Sequence, residues 1–541
     1  MGLAFETAVP APGSTPGRTD VVCFVGFVAR RREMRLPAAV RTQLAADGWV
    51  NGPWRRADNA IETLDNLPVV IDSWALFDQL FAWEKRPVGR TPDPVSGRIS
   101  YCATYLGAAV RSFFARGGRR AIVIRVGDPW PFLESGANRA AKRRARLRRL
   151  LPDFADGDAP GVLFDPTDPG SWGGVHHLGG LREASLLCLP DLPDACATEP
   201  RLPSTELPLT VPPEGFVECS AVEAALPVDR GLRALAAPRL DSRGYGPWRV
   251  AVSAVRRHLA RYQREVILVA ALPLAHDDAR RPGNEGGVHA QQDMLAFLRR
   301  SGVFEAVGRH ETSDLAATSA FVQLAWPWLQ TRASVDLPEE LESPDGVLAG
   351  LLASNALTRG TYRSAAGDFS LRRLRDVRNT TPAPAWGGGP DSPIEQLAQR
   401  VCVFAPQPDG WALQSDVTTA VGESWRFGGA SRLMGAVLRE ARRTGEAAVF
   451  DANGPALWRS IRRSIETTLE RFWRAGALDG QTPSEAFLVR CDLTTMNQND
   501  LDNGRVKVEI TVRPTHSIER ITVVLALNSG GESMPAAQGV A

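Results

Sequence analysis

The sequence predicts a multi-domain α+β fold with mixed α/β regions, and three observations indicate this class. The chain has 541 residues, more than one hydrophobic core usually holds, and 44% of them are hydrophobic. Helical and strand patterns alternate through the N-terminal and middle parts of the chain. A long amphipathic helix followed by alternating strands dominates the C-terminal part, which is typical of an antiparallel α+β unit.

Composition and charge exclude several classes of protein. The 63 basic and 61 acidic residues give a net charge of +2, so neither nucleic acid nor a membrane surface is expected as a partner. The longest apolar run, residues 266–275, is too short to span a membrane and predicts a buried strand. The N-terminus lacks a signal-peptide pattern, and the seven cysteines lie singly in mostly apolar segments. We therefore expect a cytoplasmic protein with buried thiols.

The N-terminal elements follow from local patterns. Residues 1–20 are rich in Gly, Pro, Ser and Thr and predict an extended arm. Residues 21–29 predict a strand, and residues 74–83 predict a short aromatic helix with an N-cap at Ser73. Apolar residues at helical spacing over 101–114 lead through a Gly-Gly turn into the strand AIVIRV.

The middle part begins with a proline-rich stretch. Between 131 and 245 the pattern weakens, punctuated by SLLCLP at 185–190, and predicts irregular or inserted structure. The α/β rhythm then returns with the strand EVILVAALP, a helix at about 289–300 and a strand near 321–324.

The C-terminal part has the clearest local pattern. Asn453 suits an N-cap, and a helix over 454–475 carries one apolar stripe that Gly476 closes. Strands are predicted at 485–492, 504–514 and 520–527. In the middle strand one buried face is expected to comprise Val506, Val508, Ile510 and Val512.

These patterns predict five segments. They are an N-terminal arm at 1–20, an α/β segment at 21–130, a loop-rich middle region with an α/β core at 131–335, a C-terminal α+β domain at 336–528, and a flexible tail at 529–541.

Catalytic or ligand-binding motifs are weak. The glycine-rich string 283–290 lacks the Lys-Ser/Thr of a phosphate loop. His276 with its neighbouring aspartates, or His176 with His177, could contribute metal ligands, but neither group has a second cluster at ligand spacing, and exposed turns are favoured. No nucleophile–base pair is visible. We predict no catalytic, cofactor or metal site; an enzyme built on 246–330 is the alternative.

Two cationic surfaces stand out. Seven cations between residues 139 and 149 predict a basic helical face. An anionic polymer is one possible partner for it, but a solvated face or a contact with an acidic protein is favoured because no aromatic residues are interleaved. The helix over 454–475 carries a second set away from its apolar stripe, which comprises Arg459, Arg462, Arg463, Arg471 and Arg474.

Several segments resemble the tail-sheath family of contractile phage tails and related injection systems. The C-terminal ones are WRFGGASRLMGAV (425–437), FDANGPALWRSIRRSIETTLERFWRAGALDGQTPSEAFLVRCD (450–492) and TTMNQNDLDNGRVKVEITVRP (494–514). Upstream, WPWL (326–329), SPDGVLAGLLASNALTRGTYRSAAG (343–367) and YLGAAVRSFFARGGRRAIVIRV (105–126) are similar to family segments. The family's N-terminal Pro-Gly-Val-Tyr arm is missing, and its Pro-Pro-Ser-Gly motif is replaced by Ser-Pro-Asp-Gly.

The resemblance implies a structural, non-enzymatic subunit that stacks in six-membered rings around an inner tube and contracts to drive the tube through an envelope. It implies cytoplasmic assembly into a phage tail or tail-like particle, with partners that are further copies, the tube protein, and baseplate and cap proteins. Nucleic acid and direct membrane insertion are not expected. A sheath-like cap, initiator or baseplate component is the nearest alternative.

The resemblance also suggests two sets of contact residues. Those expected to exchange strands between subunits are Val506, Val508, Ile510, Val512, Ile521, Val523 and Leu525. Those expected to face the inner tube are Arg459, Arg462, Arg463, Arg471 and Arg474.

Overall fold

The computed structural model describes residues 18–31, 33–90, 99–134, 139–155, 161–197, 232, 235–240, 242–275, 298, 304, 319–377, 392–448, 451–499 and 505–515. Most of the predicted arm, the group at His276, the string 283–290, nearly all of the helix 289–300, the strand 520–527 with Ile521, Val523 and Leu525, and the tail 529–541 lie outside these residues.

An eight-stranded sheet forms the centre of the molecule. Its strands are β1 (Val22–Gly26), β2 (Pro68–Ile71), β5 (Ala121–Arg125), β6 (Leu186–Cys188), β8 (Ile267–Ala271), β10 (Val322–Trp326), β11 (Cys402–Gln407) and β12 (Gly410–Leu413). Their order is β12-β11-β10-β8-β6-β1-β5-β2. Six neighbouring strands are parallel, and antiparallel β2 and β12 form the two edges.

The central strands are apolar on both faces because helices cover both sides of the sheet. Every residue of β1, β5, β8 and β10 is buried. Alternate residues enter different cores, with Phe24 on one face and Val25 on the other. The strands predicted from these apolar runs are thus confirmed; β1, β5 and β8 have slightly shorter bounds, and β10 extends two residues further than predicted.

Among its described residues, the segment 131–245 contains regular structure that its sequence does not predict. SLLCLP supplies β6, which lies between β1 and β8 near the middle of the sheet. The expectation of irregular or inserted structure is therefore wrong at this point. A three-residue strand is too short to show a period, and only its two parallel neighbours identify it.

The helices fall into three groups along the chain. The N-terminal ones are α1 (Ala38–Ala46), α2 (Asp58–Thr63), α3 (Trp74–Leu80) and α4 (Tyr105–Ala115). The middle ones are α5 (Arg139–Leu150), α6 (Leu192–Cys196), α7 (Ser242–Tyr262) and α8 (Asp345–Thr358). The later ones are α9 (Asp368–Leu371), α10 (Pro393–Ala398), α11 (Glu423–Arg426), α12 (Gly428–Ala447), α13 (Pro455–Arg474) and α14 (Pro483–Ala486).

Shorter elements complete the described chain. They are the pairs β3 (Arg86–Pro87) with β4 (Tyr101–Cys102) and β7 (Arg239–Leu240) with β9 (Leu274–Ala275), and 3-10 helices at Pro169–Ser171, Gly174–Gly180 and Pro338–Glu340.

Two local predictions gain a physical explanation. The Ser73 hydroxyl accepts a hydrogen bond from Leu76 N at 3.3 Å and caps α3. In the Ser-Pro-Asp-Gly motif, a Cβ on Gly346 would lie 2.5 Å from the Ala109 backbone, so only glycine allows α8 to pack this closely against α4.

A smaller C-terminal module has its own hydrophobic cluster, built from α12, α13, α14 and the antiparallel pair β13 (Phe487–Arg490) with β14 (Glu509–Val512). The predicted multi-domain α+β class is confirmed. The six described cysteines are all buried. Within the described ranges, no helix is long and apolar enough to cross a membrane.

Candidate assembly surface

The long helix α13 packs against the C-terminal module through the predicted stripe. It extends over Pro455–Arg474, and Gly476 follows with a φ of 78°, the left-handed conformation that ends helices. The stripe residues are all buried or half-buried: Leu457, Ile461, Ile465, Leu469, Phe472 and Trp473. Burying them holds α13 in one orientation relative to the small sheet.

The start of α13 differs from the prediction. Gly454, rather than Asn453, occupies the N-cap position, and no side chain caps the helix. The Asn453 side-chain oxygen instead accepts a hydrogen bond from the Trp458 indole N–H at 2.8 Å. Trp458 is 8% exposed, so this bond supplies its buried donor with a partner.

Strands β13 and β14 form an antiparallel ladder from Phe487↔Val512 to Arg490↔Glu509. The predicted alternation is present along β14 and its N-terminal extension. The half-buried residues are Val506, Val508, Ile510 and Val512, and the exposed ones are Lys507, Glu509, Thr511 and Arg513.

The outer edge of β14 faces away from β13. Arg513 N donates to Ala486 O at 2.9 Å. Because inward and outward groups alternate along an antiparallel ladder, the N–H and C=O of Ile510 and Val512 point away from β13. Over 451–499 and 505–515, no further strand pairs with this edge.

An apolar groove of about 470 Å³ lies between α12, α13 and the chain at 506–510, which comprises the start of β14 and the residues before it. Leu438 and Ala441 of α12 line one side, and Leu457 and Ile461 of α13 contribute to its wall. Val508 borders it from the strand. The groove and the outward backbone groups of β14 therefore belong to one module.

The five predicted arginines of α13 are all exposed: Arg459, Arg462, Arg463, Arg471 and Arg474. Arg474 pairs with Glu470 at 2.6 Å, and Arg462 lies 3.6 Å from Glu466. Such exposed pairs contribute little to stability. The face is therefore cationic but partly neutralised along the helix.

A buried ion pair that sequence reasoning missed connects the module to the large sheet. Arg432 of α12 contacts both carboxylate oxygens of Asp416, at 2.8 and 2.6 Å, and the side chains are 4% and 0% exposed. Gln323 of β10 donates to the same carboxylate at 2.9 Å. Burial would raise the pKa of Asp416, but the Arg432 guanidinium and these donors hold it below its usual value.

Further contacts hold α12 against the sheet. A Cβ on Gly435 would lie 2.9 Å from Glu265 O, so the glycine allows close approach. Buried Arg439 donates to Ala184 O at 3.0 Å, and Arg442 pairs with the Glu265 carboxylate. The string WRFGGASRLMGAV supplies Arg432 and Gly435 to this contact, and the residues after it supply Arg439 and Arg442. The glycines of the string and Arg432 were the available signal.

The basic run on α5 is used largely within the chain. Glu134 forms ion pairs with Lys142 at 3.1 Å and with Arg146. Arg149 donates to Val126 O at 3.0 Å, and the Arg146 guanidinium lies 4.1 Å from the Trp130 ring centroid. The solvated-face interpretation is therefore wrong for much of this helix.

His176 and His177 are buried, each about 1% exposed, so the prediction of an exposed turn is wrong. They lie on the 3-10 helix Gly174–Gly180, which packs against the face of the sheet that carries Val25. The absence of a second cluster at ligand spacing favoured exposure, whereas packing against aromatic residues distant in sequence buries both side chains.

Comparison with known proteins supports the resemblance. Residues 420–528 match the family model of the phage tail sheath C-terminal domain. No curated protein matches the chain in sequence. The predicted resemblance to the tail-sheath family is confirmed, and the matched residues include α12, α13, β13 and β14.

Three solved structures share the fold. The cryo-EM structure of the anti-feeding prophage (AFP) baseplate in contracted state is 15% identical with a TM-score of 0.54, covering 98% of each chain. The six-fold symmetrised AFP baseplate is 15% identical with a TM-score of 0.52, covering 97% of this chain and 100% of the other. The contracted sheath complex of an extracellular contractile injection system, PVC, is 14% identical with a TM-score of 0.50, covering 95% and 93%.

Proposed function

We propose that this chain is the sheath subunit of a contractile, phage-tail-like injection machine. It polymerises in stacked six-membered rings around an inner tube, and the polymer shortens to drive the tube through a target envelope. The observation that carries this proposal is the sheath-matched module, whose small sheet presents an open strand edge within the described residues. Strand edges of this kind accept a strand from a neighbouring chain.

The open edge supplies directional bonds between subunits. Ile510 and Val512 each present one N–H and one C=O to a partner strand, so four hydrogen bonds can form there. At ~1 kcal/mol each they contribute about 4 kcal/mol before ordering costs. We propose that a terminal segment of another copy supplies the strand, either residues 1–20 or the predicted strand 520–527 with Ile521, Val523 and Leu525.

The cationic face of α13 suits a contact that must change during contraction. Exposed ion pairs contribute only ~0–1 kcal/mol each, so they can break and re-form between two packings at small cost. We propose that Arg459, Arg462, Arg463, Arg471 and Arg474 face an acidic surface of the inner tube before contraction. Strand-exchange hydrogen bonds would persist through contraction. Breaking them would lose directional bonds whose energy contacts between sliding surfaces do not restore.

A backbone substitution tests the strand edge. Ile510→Pro removes one outward N–H, and the bonded positions of the β13–β14 ladder keep their donors. Ile510→Val is the matched control, since it keeps the amide and the strand propensity. We expect folded monomers or short oligomers from the proline variant and long hollow cylinders from the control, by electron microscopy and circular dichroism. Full-length cylinders from Ile510→Pro would contradict the role of this edge.

Truncation identifies the donor strand. Deleting 1–20 or 518–541 should give a folded chain that cannot polymerise if that segment supplies the strand. Polymers of normal length from both truncations would refute donation by either terminus.

A sheath-like baseplate, cap or initiator component is the second candidate. This candidate is considered because two AFP baseplate structures share the fold of this chain. Electron microscopy of the purified wild-type chain separates the two, because a sheath forms long cylinders and an end component forms single rings or monomers. In either case we propose a non-enzymatic subunit that assembles in the cytoplasm with copies of itself, a tube protein, and baseplate and cap proteins.

A further inference from the structure

Three metal-ligating side chains from separate parts of the chain meet beside α7. Asp153 follows α5, His176 lies on the 3-10 helix Gly174–Gly180, and His258 lies near the end of α7. One ligand atom from each lies within 4.8 Å of the other two. His176 Nε2 is 3.9 Å from Asp153 Oδ1, and the two imidazole rings stack with centroids 5.4 Å apart.

Three of the four nitrogens of these imidazoles lack a hydrogen-bond partner within the described structure. His176 Nε2 and both ring nitrogens of His258 are unsatisfied. The His176 side chain is only 2% exposed, and His258 is 3% exposed. Buried polar atoms in folded proteins nearly always have a partner, so nitrogens left unpaired beside a carboxylate indicate that a ligand belongs between them.

Aromatic side chains pack around the two imidazoles. The Phe164 ring lies 5.2 Å from the His176 ring and 5.1 Å from the His258 ring, between centroids. Tyr262 packs against both Phe164 and His258. An apolar shell of this kind strengthens the binding of a cation by its anionic ligand.

We propose that Asp153, His176 and His258 bind one divalent transition-metal ion, with Zn²⁺ as the best fit to two imidazoles and a carboxylate. Zinc ligands lie about 2.0–2.1 Å from the metal, and therefore about 3.3 Å from one another in a tetrahedral site. The three ligand atoms would reach this spacing only if the two stacked rings, now 12° from parallel, turned toward one ion. The ion would hold the chain after α5, the 3-10 helix and α7 together. This role does not depend on the proposed function.

The neighbouring histidine provides a matched control. His177 is equally buried, packs against Trp49 with ring centroids 5.3 Å apart, and is not part of the cluster. His177→Gln thus alters a buried imidazole on the same 3-10 helix without removing a proposed ligand.

The test measures Zn²⁺ binding to the untagged full-length chain by isothermal titration calorimetry, with Co²⁺ absorption as a report of tetrahedral coordination. We expect one Zn²⁺ per chain. Mutating a residue that only hydrogen-bonds to a metal ligand typically weakens metal binding about 10–100-fold. His176→Gln, His258→Gln and Asp153→Asn each remove a proposed ligand itself, so each should weaken Zn²⁺ binding at least about 100-fold. His177→Gln should bind as the wild type does.

Two outcomes would overturn the site. One is the absence of stoichiometric Zn²⁺ binding to the wild-type chain. The other is equal weakening by His177→Gln and His176→Gln, which would show that binding responds to general disturbance of this region. Circular dichroism of each variant confirms that it is folded, and Asp153→Asn keeps the test valid if a histidine variant misfolds, because Asp153 is only partly buried.

Discussion

The buried pair between Arg432 and Asp416 gives the sharpest prediction about how the C-terminal module is held. Arg432 also donates to Thr361 O at 3.1 Å and Arg363 O at 3.2 Å, so Arg432→Met removes the counter-charge and these further bonds together. Breaking a buried pair costs about 3–5 kcal/mol. Asp416 keeps a donor from Ala365 N at 2.9 Å and one from Gln323, so we expect a loss near 3 kcal/mol.

The pH dependence adds a second signature. In the wild type the pKa of Asp416 is held low, so the stability it contributes is present above its ordinary pKa and is lost as the pH falls through the lower folded-state value. Without Arg432, burial dominates and raises that pKa. The deficit of Arg432→Met should therefore be larger at about pH 7 than at about pH 5, because its Asp416 carboxyl takes up a proton at a higher pH than in the wild type.

The measurement is urea denaturation followed by tryptophan fluorescence at both pH values. Midpoints are compared because a chain with several cores need not unfold in one step. Arg463→Met is the matched control, since the same change on the exposed face of α13 should alter stability by less than about 0.5 kcal/mol. Equal midpoints for the two variants at pH 7, or a deficit that grows as the pH falls, would refute the reasoning.

Three further predictions concern the tube contact, a buried acid and the start of α13. Arg462→Glu with Arg463→Glu should leave the chain folded but give extended sheaths that lack an inner tube in electron micrographs. Burial raises the pKa of Glu342 to about 7, so the stability it contributes is present below about pH 4.5 and is lost as the pH rises through about 7. Glu342→Gln should flatten this dependence in pH-resolved urea denaturation by up to about 3 kcal/mol. Asn453→Ala leaves the Trp458 N–H unpaired and should cost about 1–2 kcal/mol in thermal or urea unfolding.

Each of these has a control. Arg55→Glu reverses an exposed charge near α2, and normal tube-filled sheaths are expected from it. Tube-filled sheaths from Arg462→Glu with Arg463→Glu would contradict the proposed contact between α13 and the tube. Glu62→Gln changes an exposed acid and should leave the pH dependence intact. Asn453→Asp keeps an oxygen acceptor for the indole, so a loss as large as that of Asn453→Ala would contradict the hydrogen-bond explanation.

The predictions from sequence were accurate where the pattern is local. The stripe of α13 and the alternation along β14 repeat every turn or every second residue, so their burial follows from their own periods. The strands β1, β5, β8 and β10 are apolar runs that only a doubly covered sheet explains. The predicted cap at Asn453 was wrong because its side-chain oxygen accepts a hydrogen bond from the Trp458 indole, five residues further on, and not from a backbone N–H of the first helical turn.

By itself, the sequence determined the α+β class, the helices α3, α4, α5 and α13, the strands β1, β5, β8 and β10, and the resemblance that pointed to the C-terminal module. Only the tertiary structure decided the strand order with β6 near its middle, the Arg432–Asp416 pair, and the meeting of Asp153, His176 and His258. The physical reason is that secondary structure follows from the spacing of neighbouring residues. Contacts between distant segments depend instead on how whole helices and strands pack, and packing leaves no period in the chain.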